Sequence, residues 1–242
     1  MSKTDVITRK DMKEPDKFQQ AATQAASWIA ARRRHVVLAG AVVVGAVLVL
    51  AVLSAVNAGR EERAGAAAAD LLATMSGEIS SVPLPGLPGP FFPSEEARQR
   101  AVVTAATKVL ADHRGTGAAQ IAALALGDAH LKLKEWDLAT SAYERFLAAT
   151  PKNDTLRFGA IEGIAVAEEA KGNLDAAAQA YDRLGREVPA FGDRADLERA
   201  RVLAQAGKTA DAKALLAGFS DRHKASLLTP EASERLARLG GK

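Results

Sequence analysis

The 242-residue chain contains no cysteine, which excludes disulfides, thiol catalysis, zinc-thiolate sites and a lipid-modified cysteine. Its net charge of +3 is a local matter: residues 1–59 carry 8 Lys+Arg against 4 Asp+Glu, and residues 60–242 carry 24 against 25, so nothing argues for nucleic acid as a partner. Only 5% of the residues are aromatic and few are β-branched runs, whereas Ala, Leu, Glu, Lys and Arg abound, a balance that favours helices throughout.

Residues 1–13 are polar, mixed in charge and without apolar period. From Pro15 to Ile29, Phe18, Ala21, Ala22, Ala25, Trp28 and Ile29 share one face of a helix, with Pro15 and Asp16 suited to its first turn. With Lys17 and the Arg32, Arg33, Arg34 cluster, that stripe fits the headgroup region of a membrane; the alternative is a polar leader that folds only near the bilayer.

Val36 to Val56 follows: 21 residues without a charge and with nothing more polar than Ser54. At 1.5 Å per residue such a helix covers roughly 30 Å, the thickness of a bilayer's hydrocarbon core, so residues 36–57 are expected to cross a membrane. The arginines before it, against Arg60 and Arg63 interleaved with Glu61 and Glu62 after it, place residues 1–35 in the cytoplasm and the rest outside. Two other readings are a buried core helix, which ordinarily shows a polar stripe, and a cleaved signal peptide, whose apolar run is ordinarily shorter and whose leader is not 35 residues long.

Beyond the span, Ala58 to about Ser80 continues as a helix with an apolar stripe of Ala64, Ala67, Ala68, Leu71, Leu72, Met75 and Ile79. Residues 82–93 then hold five of the nine prolines, and no helix or central strand passes through such a run. Phe91 and Phe92 in it are either a docking loop for a partner or aromatic residues that fold back onto the helices. Ser94, ahead of Glu95 and Glu96, is an N-cap for a helix reaching about His113.

From residue 120 the chain repeats itself. Ala139, Tyr143 and Pro151 recur as Ala177, Tyr181 and Pro189, each 38 residues on; Gly172 and Gly207 are 35 apart and each precedes an alanine by five. Each unit reads as two helices joined by a short turn, across about residues 94–224, with a capping helix over 230–239.

Leu126-Gly127, Ala139, Tyr143 and Pro151, and again Gly172, Ala177, Tyr181 and Pro189, resemble the tetratricopeptide repeat family in spacing. Departures are His130 where a tyrosine is usual, Ala165 for a glycine and Leu216 for an aromatic residue. The resemblance implies an all-α helical-hairpin solenoid over residues 58–242, behind a single N-terminal transmembrane helix. It also implies a groove for an extended peptide or a helix, lined by Leu124, Asp128, Leu131 and Lys132, then Glu162, Val166 and Glu169, then Arg194, Leu197, Arg201 and Gln205. The basic clamp by which some family members hold a carboxylate is missing, since Leu124, Asp128 and Gly163 occupy its places.

No catalytic, cofactor or metal constellation emerges. His35, His113, His130 and His223 are scattered, and Gly115-Thr116-Gly117 is too short for a phosphate loop, so the chain is expected not to be an enzyme. The layout of leader, single span and extracytoplasmic repeat domain resembles the YfgM-like family of ancillary Sec translocon subunits. That implies an inner-membrane adaptor or holdase, with its C-terminal domain in the periplasm and the translocon and a membrane-anchored chaperone as partners. A scaffold for an envelope complex (division, secretion or outer-membrane assembly) is the other expectation.

Overall fold

The computed structural model describes the backbone from Arg33 to Gly240, except residues 83–85 and 87–88, and side chains from Gly45 onward. Among the described residues the structure is all-α apart from one two-stranded bridge, and the chain divides into two compact units, Met1–Ala58 and Gly59–Lys242. Helix α1 is Arg33–Met75. In the first unit the aliphatic side chains Val47, Leu48, Val49, Leu50, Val52, Leu53 and Val56 are each more than half exposed. Among the described residues no helix is long and apolar enough to cross a membrane. The expected Pro15–Ile29 helix and the side chains of residues 36–44 lie outside the described residues.

In the second unit, α1 buries Ala64, Ala68 and Leu71 in the core, as its apolar stripe requires. Leu72 and Ile79 are exposed instead: Leu72 is rotated away from Leu71 by one helical step, and the helix has ended before Ile79. Strand β1 (Glu78–Ile79) pairs in parallel with β2 (Phe91–Phe92), Glu78 N donating to Pro90 O at 3.1 Å and Ser80 N to Phe92 O at 2.8 Å. Phe91 and Phe92 are half-buried, and the backbone around them is tied to β1. Prolines at 90 and 93 supply no N–H groups, so this edge pairs on one side only.

The helices that follow are α2 (Glu95–Asp112), α3 (Gly117–Lys132), α4 (Trp136–Ala149), α5 (Arg157–Ala170) and α6 (Leu174–Glu187). After a 3-10 turn at Pro189–Phe191 come α7 (Gly192–Gln205), α8 (Thr209–Ala217), α9 (Phe219–Arg222) and α10 (Thr229–Arg238). From α2 to α8 each helix packs on its neighbours in the chain. Ser94 Oγ accepts from Ala97 N at 3.1 Å, capping α2, and Thr116 Oγ1 accepts from Ala119 N, capping α3.

The sequence repeat has a physical counterpart at every level. Ala139, Ala177 and Ala212 are all fully buried where paired helices approach, and Tyr143, Tyr181 and Leu216 are buried one turn later. The turn inside each hairpin needs one left-handed residue: Gly172 and Gly207 supply it at φ 80 and 77, whereas α3–α4 uses Lys134 at φ 60, 38 residues before Gly172. The Tyr143 ring is clamped between α3 and α5 because both present glycine to it. A methyl group at Gly127 would stand 2.5 Å from Tyr143 Cδ1, and one at Gly163 closer still to the opposite edge.

Candidate functional site

The first helices of three successive hairpins, α3, α5 and α7, form one face. It is knitted by contacts from helix to helix that the sequence does not show. Tyr143 donates to Asp128 Oδ1 at 2.7 Å. The guanidinium of Arg194 reaches across from α7 to Glu162 Oε1 at 2.6 Å and lies 5.7 Å from the Phe158 ring, which stacks on Phe191 at 3.9 Å. Arg201 binds Glu169 at 2.8 Å, Glu198 at 2.7 Å and Gln205 at 3.2 Å, and Tyr181 donates to the same Glu169 oxygen at 2.9 Å.

Most residues expected to line a groove do lie on this face, in different roles. Leu124 and Leu131 are half-buried and pack on the core; Val166 is 39% exposed; Lys132 leans to Glu95 at 4.0 Å. Glu162, Glu169, Arg194 and Arg201 spend their charges on one another. Leu197 is a correction: it is 3% exposed and belongs to the core. Arg235 of α10 donates to Leu197 O at 3.0 Å and to Glu198 at 3.3 Å, so the C-terminal helix closes over this part of α7. Residues that periodicity missed are Ile121, 38% exposed one turn before Leu124, and the stacked Phe158. Counting four residues back from Leu124 and Glu162 along α3 and α5 comes within a residue of the first and finds the second, since i and i+4 share a helix face.

Electrostatically the acids of this face divide. The Asp128 side chain is exposed, yet desolvation by the protein beneath it pushes its carboxyl above the usual value, against the Tyr143 hydrogen bond and the charge of Lys132. Burial, then the Asp128 charge and hydrogen bond, push the Tyr143 hydroxyl far up, so it stays a donor at any physiological pH. Glu198 goes the other way: burial alone would raise it, but Arg201 and Arg235 hold it below the usual range. Toward the chain's end, α7, α8 and α10 enclose an open cavity of about 490 Å³ with Ala200, Ala204, Leu216 and Leu239 as its floor and Arg201, Arg235 and Arg238 at its rim.

Two histidines are structural. His130 Nδ1 is 2.6 Å from Glu135 at the α3–α4 turn, and His223 Nε2 is 2.9 Å from Asp196 with its ring against Phe219. Among the described residues no group of three or more His, Asp and Glu is arranged to hold a metal ion. No protein-family model matches the chain, and no curated protein matches it.

Proposed function

We propose that this protein is a membrane-anchored, non-enzymatic interaction module, in which a tetratricopeptide-like solenoid uses its α3–α5–α7 face to hold an extended peptide or a helix of another protein. The supporting observation is that face itself: a continuous surface on three successive first helices that mixes exposed apolar side chains, Ile121 and Val166, with ordered charges. Seven uncovered aliphatic side chains from Val47 to Val56 support an apolar surrounding for the first unit, and the 21-residue uncharged stretch is long enough for a bilayer span. On this reading residues 1–35 are cytoplasmic, the repeat domain is periplasmic, and the protein is an adaptor or holdase beside the Sec translocon.

The test is crosslinking in cells from a photoreactive residue at Val166, with the products identified by mass spectrometry. Translocon subunits and a spread of exported clients are the expected products. One stoichiometric envelope protein would replace the adaptor with a scaffold, and an empty result from Val166 and Ile121 alike would remove the face from consideration.

A further inference from the structure

Asp128 differs from the other acids of the face. Glu162 has Arg194 at 2.6 Å and Glu169 has Arg201 at 2.8 Å, but Asp128 has no ion-pair partner among the described residues. Lys132, one turn along α3, leans to Glu95 at 4.0 Å. What Asp128 has instead is Tyr143, whose hydroxyl is fixed by the ring's clamp between Gly127 and Gly163. One carboxylate oxygen is therefore held in place while the carboxylate makes no ion pair, Lys132 acting on it only from a distance. On the side away from Lys132 the face is apolar: Leu124 lies one turn before Asp128, Ile121 a further turn back, and Val166 one turn beyond Gly163 on α5.

A preoriented acid without a cation, set in exposed aliphatic surface, is complementary to one kind of side chain: a long apolar stem ending in a positive charge. We infer that Asp128 is the anchor by which this face selects apolar peptide segments bearing a lysine or arginine, the stem lying along Ile121, Leu124 and Val166 and the charged end meeting Asp128. This rests on the reading of the face as a peptide-binding surface and names the partner's chemistry. The Arg194–Glu162 and Arg201–Glu169 pairs further along leave no second free acid on α5, so the preference is for one cation at one register. Asp128 is itself exposed, so an incoming cation reaches its carboxylate directly from solvent.

The experiment uses the full chain in lipid nanodiscs and three fluorescent peptides with identical leucine and alanine positions and a central Lys, Gln or Glu, followed by anisotropy at low and high salt. The Lys peptide is expected to bind about tenfold more tightly than the Gln peptide at low salt, and the Glu peptide more weakly than either. Asp128→Asn keeps an acceptor for Tyr143 and removes the charge, so it is expected to bring the Lys peptide to the level of the Gln peptide. Glu162→Gln, at an acid already paired, is expected to leave the preference intact. Equal binding of the Lys and Gln peptides by the unmodified chain, a comparison that needs no variant to fold, overturns the inference while leaving the face as a binding surface. A preference that survives Asp128→Asn also overturns it, and failure of all three peptides to bind overturns both readings together.

Discussion

The hairpins α3–α4 and α5–α6 share one design and solve it with different chemistry. Both bury an alanine and, four residues on, a tyrosine whose hydroxyl donates to an acid on the preceding helix. In α5–α6 the tyrosine's acid, Glu169, is neutralised by Arg201, and the turn is made by Gly172. In α3–α4 the acid is Asp128, with no cation, the turn is made by Lys134 against its backbone preference, and the tyrosine ring needs two glycines to fit. The first hairpin thus carries the tightest packing, a strained turn and an open charge. In the second the acid is paired and the turn is made by glycine. Departures from local consistency that cluster beside exposed apolar surface are compatible with the proposed role of this face.

Gly163→Ala breaks this comparison most severely. The Tyr143 ring cannot move away from the new methyl group because Gly127 holds its other face, so a loss of about 3 kcal/mol is expected in urea unfolding followed by circular dichroism. Gly159→Ala on the same helix meets nothing within 4 Å and is expected to leave stability equal or slightly higher.

Arg157→Met tests the seam between the two hairpins. Arg157 is 3% exposed and donates to Leu147 O at 2.8 Å and Thr150 O at 3.0 Å, besides its pair with Glu187. Methionine fills the space but leaves both carbonyls without this donor, and a loss of about 2 kcal/mol is expected in the same assay.

Acid sharpens the contrast, because the two regions respond to pH with opposite sign. Burial alone would raise the Glu187 pKa, but hydrogen bonds from Arg157 and Arg183 hold it below its ordinary 4.5. Its contribution is therefore present above about pH 4.5 and is lost as pH falls through the lowered pKa. Asp128 is held above its ordinary 3.8, so any penalty on folding is complete above its raised pKa and absent below about pH 3.8, and it is small because the side chain is exposed and solvent screens it. In melting curves across this range, Glu187→Gln is expected to flatten the acid loss and to cost about 1 kcal/mol at neutral pH. Asp128→Asn is expected to leave neutral-pH stability unchanged or higher.

The smallest effect is at the turn. Lys134→Gly relieves a left-handed strain of about 1–2 kcal/mol at an entropic cost of about 0.5–1, so a gain of roughly 0.5–1 kcal/mol is expected, read as a raised melting temperature. The reverse change, Gly172→Lys, is expected to lose a similar amount.

Much of this architecture was legible because it rests on local rules. Helix content, the Ser94 cap, the buried Ala139 and Tyr143 positions and their copies, and the prolines that end α4 and α6 follow from periodicity and backbone chemistry read within a few residues. The candidate face was half legible. The resemblance to the tetratricopeptide repeat puts Asp128, Glu162, Val166, Glu169, Arg194 and Arg201 on the first helices of successive hairpins.

Spacing along the chain cannot say which charges meet. Arg194 and Glu162 are 32 residues apart, as are Arg201 and Glu169, and only the packing of α7 on α5 makes them pairs and leaves Asp128 without one. Likewise Leu197 reads as a face residue until α10 closes over it, and Phe91 and Phe92 read as a loop until β1 pairs with them. The 21 uncharged residues from Val36 are a property of the sequence alone. The state of charge and exposure at each position on the repeat face belongs to the tertiary structure, because neighbours distant in sequence determine which charges are neutralised and which side chains keep their contact with solvent.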